Sequence, residues 1–107
     1  MITEQNWKGI STGAYTGNTV KADCHRNNHK SVSVINTDSA NGFLYKIVAY
    51  FDKAELSKKT LRSENTLAAT ESYNYTLDGM QVDHIKVFVK DAVANTHADW
   101  SVVFNLR

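Results

Sequence analysis

Short runs in which apolar and polar residues alternate one by one recur along this chain, and that period of two restricts the fold more than any other feature. Tyr73, Tyr75 and Leu77 alternate with Ser72, Asn74 and Thr76, and the run stops at Asp78-Gly79, a turn pair. Ile85, Val87 and Val89 alternate with Lys86, Phe88 and Lys90; Trp100, Val102, Phe104 and Leu106 alternate with Ser101, Val103 and Asn105. Val32 and Val34 sit among serines in Ser31–Ile35. Each pattern predicts a strand with one buried face, and the β-branched and aromatic content agrees. From Phe43 to Asp52 both registers are largely apolar, with Phe43, Tyr45, Ile47, Ala49 and Phe51 on one face and Leu44, Val48 and Tyr50 on the other. That segment predicts a central strand covered on both sides or facing a partner.

The remaining segments are weaker. Trp7 and Ile10 predict a strand from Gln5 to Ile10, and Thr19 to Asp23 predicts another, with Gly13, Gly17 and Asn18 in the turn between. Asn41-Gly42 predicts a hairpin-like connection after Ile35. Across residues 53–65, Ala54, Glu55, Leu56, Lys58 and Lys59 favour helix, but Leu56, Leu61 and Leu67 do not fall at the helical period. A strand continuation plus a short edge strand at Lys59 to Arg62 fits better. About seven strands with turn signals every 8 to 12 residues or so predict an all-β antiparallel sandwich, one domain over residues 1–107.

The segment Leu67-Ala68-Ala69-Thr70-Glu71-Ser72-Tyr73-Asn74-Tyr75, followed by Ile85–Val89 and Trp100–Leu106, resembles the E, F and G strands of immunoglobulin-like modules of the adhesion-type CARDB family. Members carry a Leu-x-Ala-Gly-Glu-Ser stretch before strand E, and Thr70 stands here where that pattern has glycine. The resemblance covers about forty residues and implies an immunoglobulin-like sandwich, not an activity.

Composition narrows the partners. Twelve Lys plus Arg against eleven Asp plus Glu leave a net charge of +1, which argues against nucleic acid. A single cysteine excludes an internal disulfide, and with no proline Gly, Asn and Asp must make the turns. The first twenty residues hold Glu4 and Lys8 and no apolar run, so no signal peptide is expected and synthesis would be cytoplasmic. The longest apolar stretch, Phe43 to Phe51, is broken by Lys46 and falls short of the roughly 20 residues of a membrane helix. The sequon Asn74-Tyr75-Thr76 reads as a piece of strand.

The richest chemistry lies in Asp23-Cys24-His25-Arg26-Asn27-Asn28-His29. Cys24, His25 and His29 offer sulfur and imidazole ligands for a metal, with His84 or His97 as a fourth, although the spacing matches no zinc module. The competing reading is a polar loop with Cys24 as a small core residue. Arg26, Lys30 and Lys21 beside His25 and His29 offer a modest basic patch for an acidic surface, diluted by Asp23, but a solvated loop is the favoured reading. No catalytic pair can be placed from the pairs Asp83 with Asp91 or Asp78 with Asp99, and the five glycines build no phosphate loop. An enzyme is therefore not expected, and no cofactor motif is present. Trp7, Tyr15, Tyr45, Tyr50, Phe88 and Trp100 offer a sugar-stacking platform, but most fall in inward registers.

Surplus apolar residues on outward registers mark a candidate interface: Phe88, Val103, Leu44, Val48 and Tyr50. With Ser, Thr and Asn at 8, 10 and 10, the chain reads as a structural protein that packs on itself or on a larger assembly, in the manner of a phage capsid decoration or tail accessory protein. That reading favours the virion as its location. Two other classes remain, a carbohydrate-binding or adhesion module and a small metal-binding protein on Cys24, His25 and His29.

Overall fold

The computed structural model describes residues 3–107. Eight strands follow in order: β1 (Thr3–Ile10), β2 (Thr19–Asp23), β3 (His29–Asn36), β4 (Phe43–Tyr50), β5 (Lys58–Leu67), β6 (Ser72–Asp78), β7 (His84–Asp91) and β8 (Asp99–Leu106). They pair antiparallel in two four-stranded sheets, sheet A in the order β1-β8-β3-β6 and sheet B in the order β2-β7-β4-β5. The antiparallel sandwich is as expected, with eight strands in place of about seven.

The strand order refines the expected topology. Only β4 and β5 are sequence neighbours within one sheet; every other connection crosses from one sheet to the other. This is the double Greek-key order of a jelly roll. In the immunoglobulin arrangement strands F and G share a sheet, whereas the segments resembling them, β7 and β8, lie in different sheets here. Asn41-Gly42 accordingly turns a corner between sheets. Asn36, almost fully buried, fixes that corner: its Nδ2 donates to Asn41 O at 2.9 Å and Leu67 O at 3.0 Å, and its Oδ1 accepts from Asp38 N at 2.9 Å.

Alternation decides which side chains meet in the middle. Phe43, Tyr45, Ile47 and Ala49 of β4 with Ile85, Val87 and Val89 of β7 face Val32, Val34, Val102, Phe104 and Leu106 of sheet A. The edge strand β1 is thinner cover: Gly9 lies opposite Trp100, and a Cβ there would come within 2.5 Å of Trp100 Cζ2, so glycine lets the indole lie across the strand. Trp7, on the same inward register opposite Val102, stays 44% exposed.

Lys30 also points inward and is buried, its Nζ donating to Met80 O at 2.8 Å. Its stem fills the end of the sandwich while its ammonium caps a carbonyl, and this removes it from the candidate basic patch. Residues 51–57 form a tight connection rather than a strand continuation, and β5 extends the expected Lys59–Arg62 segment at both ends.

Candidate functional site

The five candidate interface residues all take outward registers, but on two different faces. Val103 lies on sheet A, opposite Asn6 of β1 and Ser33 of β3. Leu44, Val48 and Tyr50 of β4 and Phe88 of β7 lie on sheet B, where Lys46 pairs with Phe88, Val48 with Lys86 and Tyr50 with His84.

The chain itself covers much of the sheet B face. Tyr15, from the β1–β2 connection, packs edge-on against Phe88 with ring centroids 5.8 Å apart. Lys46 Nζ lies 4.7 Å from the Tyr15 centroid and 4.8 Å from that of Phe88, and Lys90 Nζ lies 4.7 Å over Tyr15. The Tyr15 hydroxyl donates to Glu64, which also pairs with Lys90. Burial, reinforced by that carboxylate, raises the Tyr15 phenol well above its ordinary value.

At the other end of the face, the 51–57 connection brings Glu55 over β7. Tyr50 stacks on the His84 ring at 4.9 Å, and both are buried, at 7% and 2% exposure. His84 Nε2 lies 2.7 Å from Glu55 Oε2, and its Nδ1 lies 2.6 Å from Asp83 Oδ2. Lys86 donates to Glu55 Oε1 at 3.0 Å. The Lys86 and His84 hydrogen bonds hold the Glu55 carboxyl below its ordinary value, and the His84 bond does the same for Asp83. Val48 is also buried, at 5% exposure. The apolar surplus at Val48 and Tyr50 is thus covered from within, because the hairpin between β4 and β5 folds back over its own sheet.

A cavity of about 240 Å³ opens beside this cluster, lined by Lys21, Asp23, His25, Lys53, Asp83 and His84. Asp23 is the cross-strand partner of His84. Among the described residues, Asp23, Asp83 and His84 bring ligand atoms within 4.8 Å of one another.

The alternative metal trio of Cys24, His25 and His29 does not converge. Cys24 is buried, its thiol pointing at Val82 O at 3.9 Å, and burial pushes its pKa up to about 11. His29 begins β3 in the opposite sheet and pairs with Asp78. Only His25 reaches the cavity. Sequence reasoning offered His84 as a fourth ligand to Cys24, His25 and His29 and named Asp83 only in a pair with Asp91; it did not join either to Asp23, whose neighbours they become through the β2–β7 pairing.

The other named groups separate as well. Asp83 and Asp91 stand at opposite ends of β7, about 27 Å apart along an extended strand. Asp91 is buried; it accepts from the Ser11 hydroxyl at 2.6 Å and pairs with His97 at 2.9 Å, while Ser11 Oγ also accepts from Ala98 N at 2.8 Å. The imidazole meets the carboxylate and not the hydroxyl, so this cluster pins the β7–β8 connection and lacks the order of a nucleophilic triad. Tyr45 and Trp100 are core residues, at 1% and 5% exposure, and build no stacking platform.

No protein-family model matches the chain, and no curated protein matches it. Solved structures with the same fold do exist. A Yersinia pseudotuberculosis-derived mitogen is similar over 100% of this chain and 88% of its own, at 8% identity and a TM-score of 0.58. The SPBc2 prophage-derived protein YomS is similar over 99% of this chain and 94% of its own, at 8% identity and a TM-score of 0.54. A structure of infectious bursal virus derived T=1 particles matches 100% of this chain at 11% identity and a TM-score of 0.54, the match spanning 32% of that chain. At these identities the likeness establishes the sandwich fold.

Proposed function

We propose that this chain is a non-enzymatic structural component of a viral or phage particle, which assembles by packing the outer face of sheet A and its β1 edge against a second copy. The observation that carries this reading is the make-up of that face. Around Val103 and Ile35 stand Ser31, Ser33, Ser72, Asn74, Thr76, Ser101, Asn105 and Asn6, while Glu4, Lys8, Asp78 and Asp99 stay at its margins. Its central residues Ser33, Val103 and Asn105 remain partly open to solvent. Interface cores are depleted in charge, and the hydroxyls and amides of this face are buried without penalty only where they hydrogen-bond across the interface.

The face ends at β1, an eight-residue strand paired on one side only and mostly exposed. It carries no proline to block strand addition. The occurrence of this fold in virus-derived particles and in a prophage-derived protein supports the particle setting. Sedimentation velocity over a range of concentrations tests the reading: the native chain self-associates, and Val103→Lys shifts it to monomer with unchanged circular dichroism, since like charges brought together across a two-fold interface cost several kcal/mol or so. A native chain that stays monomeric throughout, or a Val103→Lys oligomer as stable as the native one, overturns it.

A further inference from the structure

We infer that Asp23, Asp83 and His84 form a binding site for one divalent transition-metal ion of the zinc class, on the outer face of sheet B. Two carboxylate oxygens and an imidazole nitrogen are a mixed donor set suited to such an ion, with remaining positions open to water. Donors of a tetrahedral ion with bonds of about 2.1 Å stand about 3.4 Å apart. Ligand atoms lying within 4.8 Å of one another therefore need to close by about 1.4 Å at most. The exposed Asp23 at the end of β2 is free to make that movement.

What distinguishes this cluster from ordinary surface acids is the support behind the imidazole. His84 is 2% exposed, its ring is stacked on Tyr50, and its Nε2 faces Glu55 Oε2 at 2.7 Å. A ligating histidine characteristically gives its other ring N–H to a carboxylate, which fixes the ring and raises its basicity. Glu55 fills that place and is itself held by Lys86 at 3.0 Å. The ion replaces the proton shared by His84 Nδ1 and Asp83 Oδ2, and the two atoms open from 2.6 Å to the roughly 3.4 Å that separates donors of a tetrahedral ion.

Room and a further donor are present. The cavity of about 240 Å³ holds water and the ion together, and His25 lines it. Lys21 competes for Asp23 at 3.6 Å, but both side chains are more than half exposed, at 51% and 66%, where such pairs are weak. The site lies outside the packed interior between the sheets and uses neither Cys24 nor His29.

Titration calorimetry of the full chain with zinc chloride tests the inference. One ion binds per chain, the melting temperature rises with zinc, and Asp23→Asn removes both effects while leaving the metal-free melt unchanged. Glu55→Gln weakens binding about 10- to 100-fold, as loss of a supporting carboxylate does. Cys24→Ala and His97→Ala bind as the native chain does. Absence of saturable binding at millimolar zinc, or native affinity in Asp23→Asn, overturns the site. Asp23 is exposed and hydrogen-bonds to no core group, so this variant decides even where substitutions at buried His84 fail to fold.

Discussion

On the outer face of sheet B the long side chains around Phe88, Val48 and Tyr50 are covered by the chain itself, whereas the outer face of sheet A is made of short ones left partly open. Both faces belong to antiparallel sheets of four strands, and both show the same alternation. The difference comes from the connections. Tyr15 and the 51–57 hairpin fold over sheet B, bringing Glu55 and Glu64 to lysines at positions 86 and 90. An outward apolar residue therefore carries a different meaning on each face. On sheet B, Val48 and Tyr50 are stability residues; on sheet A, Val103 is a surface residue whose proposed work is association.

The most forceful way to break this contrast is to remove the cover. Tyr50→Ala deletes the ring that stacks on His84 and costs about 3 kcal/mol, as loss of a buried aromatic side chain does. Val103→Ala costs about 0.5 kcal/mol or less, the usual range for surface substitutions. Urea unfolding of the two variants measures both. Equal losses would show that the two faces are covered alike.

Acid separates the faces next. Glu55 and Asp83 both titrate lower in the folded chain than their ordinary values of 4.5 and 3.8. Their contribution is complete above those ordinary values and is lost as pH falls through the lower folded ones. Unfolding free energy therefore declines on acidification below about pH 4.5, the ordinary glutamate value, and the decline is shallower in Glu55→Gln. An identical profile in that variant would remove the His84 cluster from the acid response.

The crossing between the faces offers a smaller effect. Thr70 sits in the β5–β6 connection at φ 66°, a left-handed conformation that strains a β-branched residue. Glycine adopts this conformation without a steric penalty. Thr70→Gly relieves the strain and raises stability by about 1 kcal/mol, net of the extra flexibility of the unfolded chain. Thermal melts check the sign. A lower melting temperature would mean that the Thr70 hydroxyl bond to Ala69 O, at 2.6 Å, outweighs the strain.

Much of the sandwich was legible because a strand's inward residues are set by neighbours two positions away. Val32 with Val34, Ile85 with Val87 and Val89, and Trp100 with Val102, Phe104 and Leu106 needed only that local rule, and all are buried. What local pattern does not carry is which strand pairs with which. Asn41-Gly42 has the same turn chemistry in a hairpin and at a corner between sheets, so the jelly-roll order was hidden in a pattern that also suits an immunoglobulin order. The metal candidate was half legible for the same reason. Asp23 and His25 stood out within one loop, but Asp83 and His84 join them through β2–β7 pairing across some sixty residues, and Glu55 arrives from a third element. Lys30 was misplaced because a lysine on an inward register can bury its stem and find a carbonyl.

The finest test asks whether a lysine counts differently on the two faces. Lys46 sits over two rings, at 4.7 Å from the Tyr15 centroid and 4.8 Å from the Phe88 centroid, and Lys46→Gln forfeits cation–π attraction of about 0.5–1 kcal/mol. Lys8 occupies the exposed β1 edge opposite Ser101, with no ring beneath it among the described residues, and Lys8→Gln leaves stability unchanged. If the two substitutions cost the same in urea unfolding, the Tyr15 cover holds Phe88 by apolar contact alone. If only Lys46→Gln is costly, the cation is part of the cover. In that case the charge at the centre of sheet B is already committed within the chain, and it is the low-charge face of sheet A that stays available for a partner.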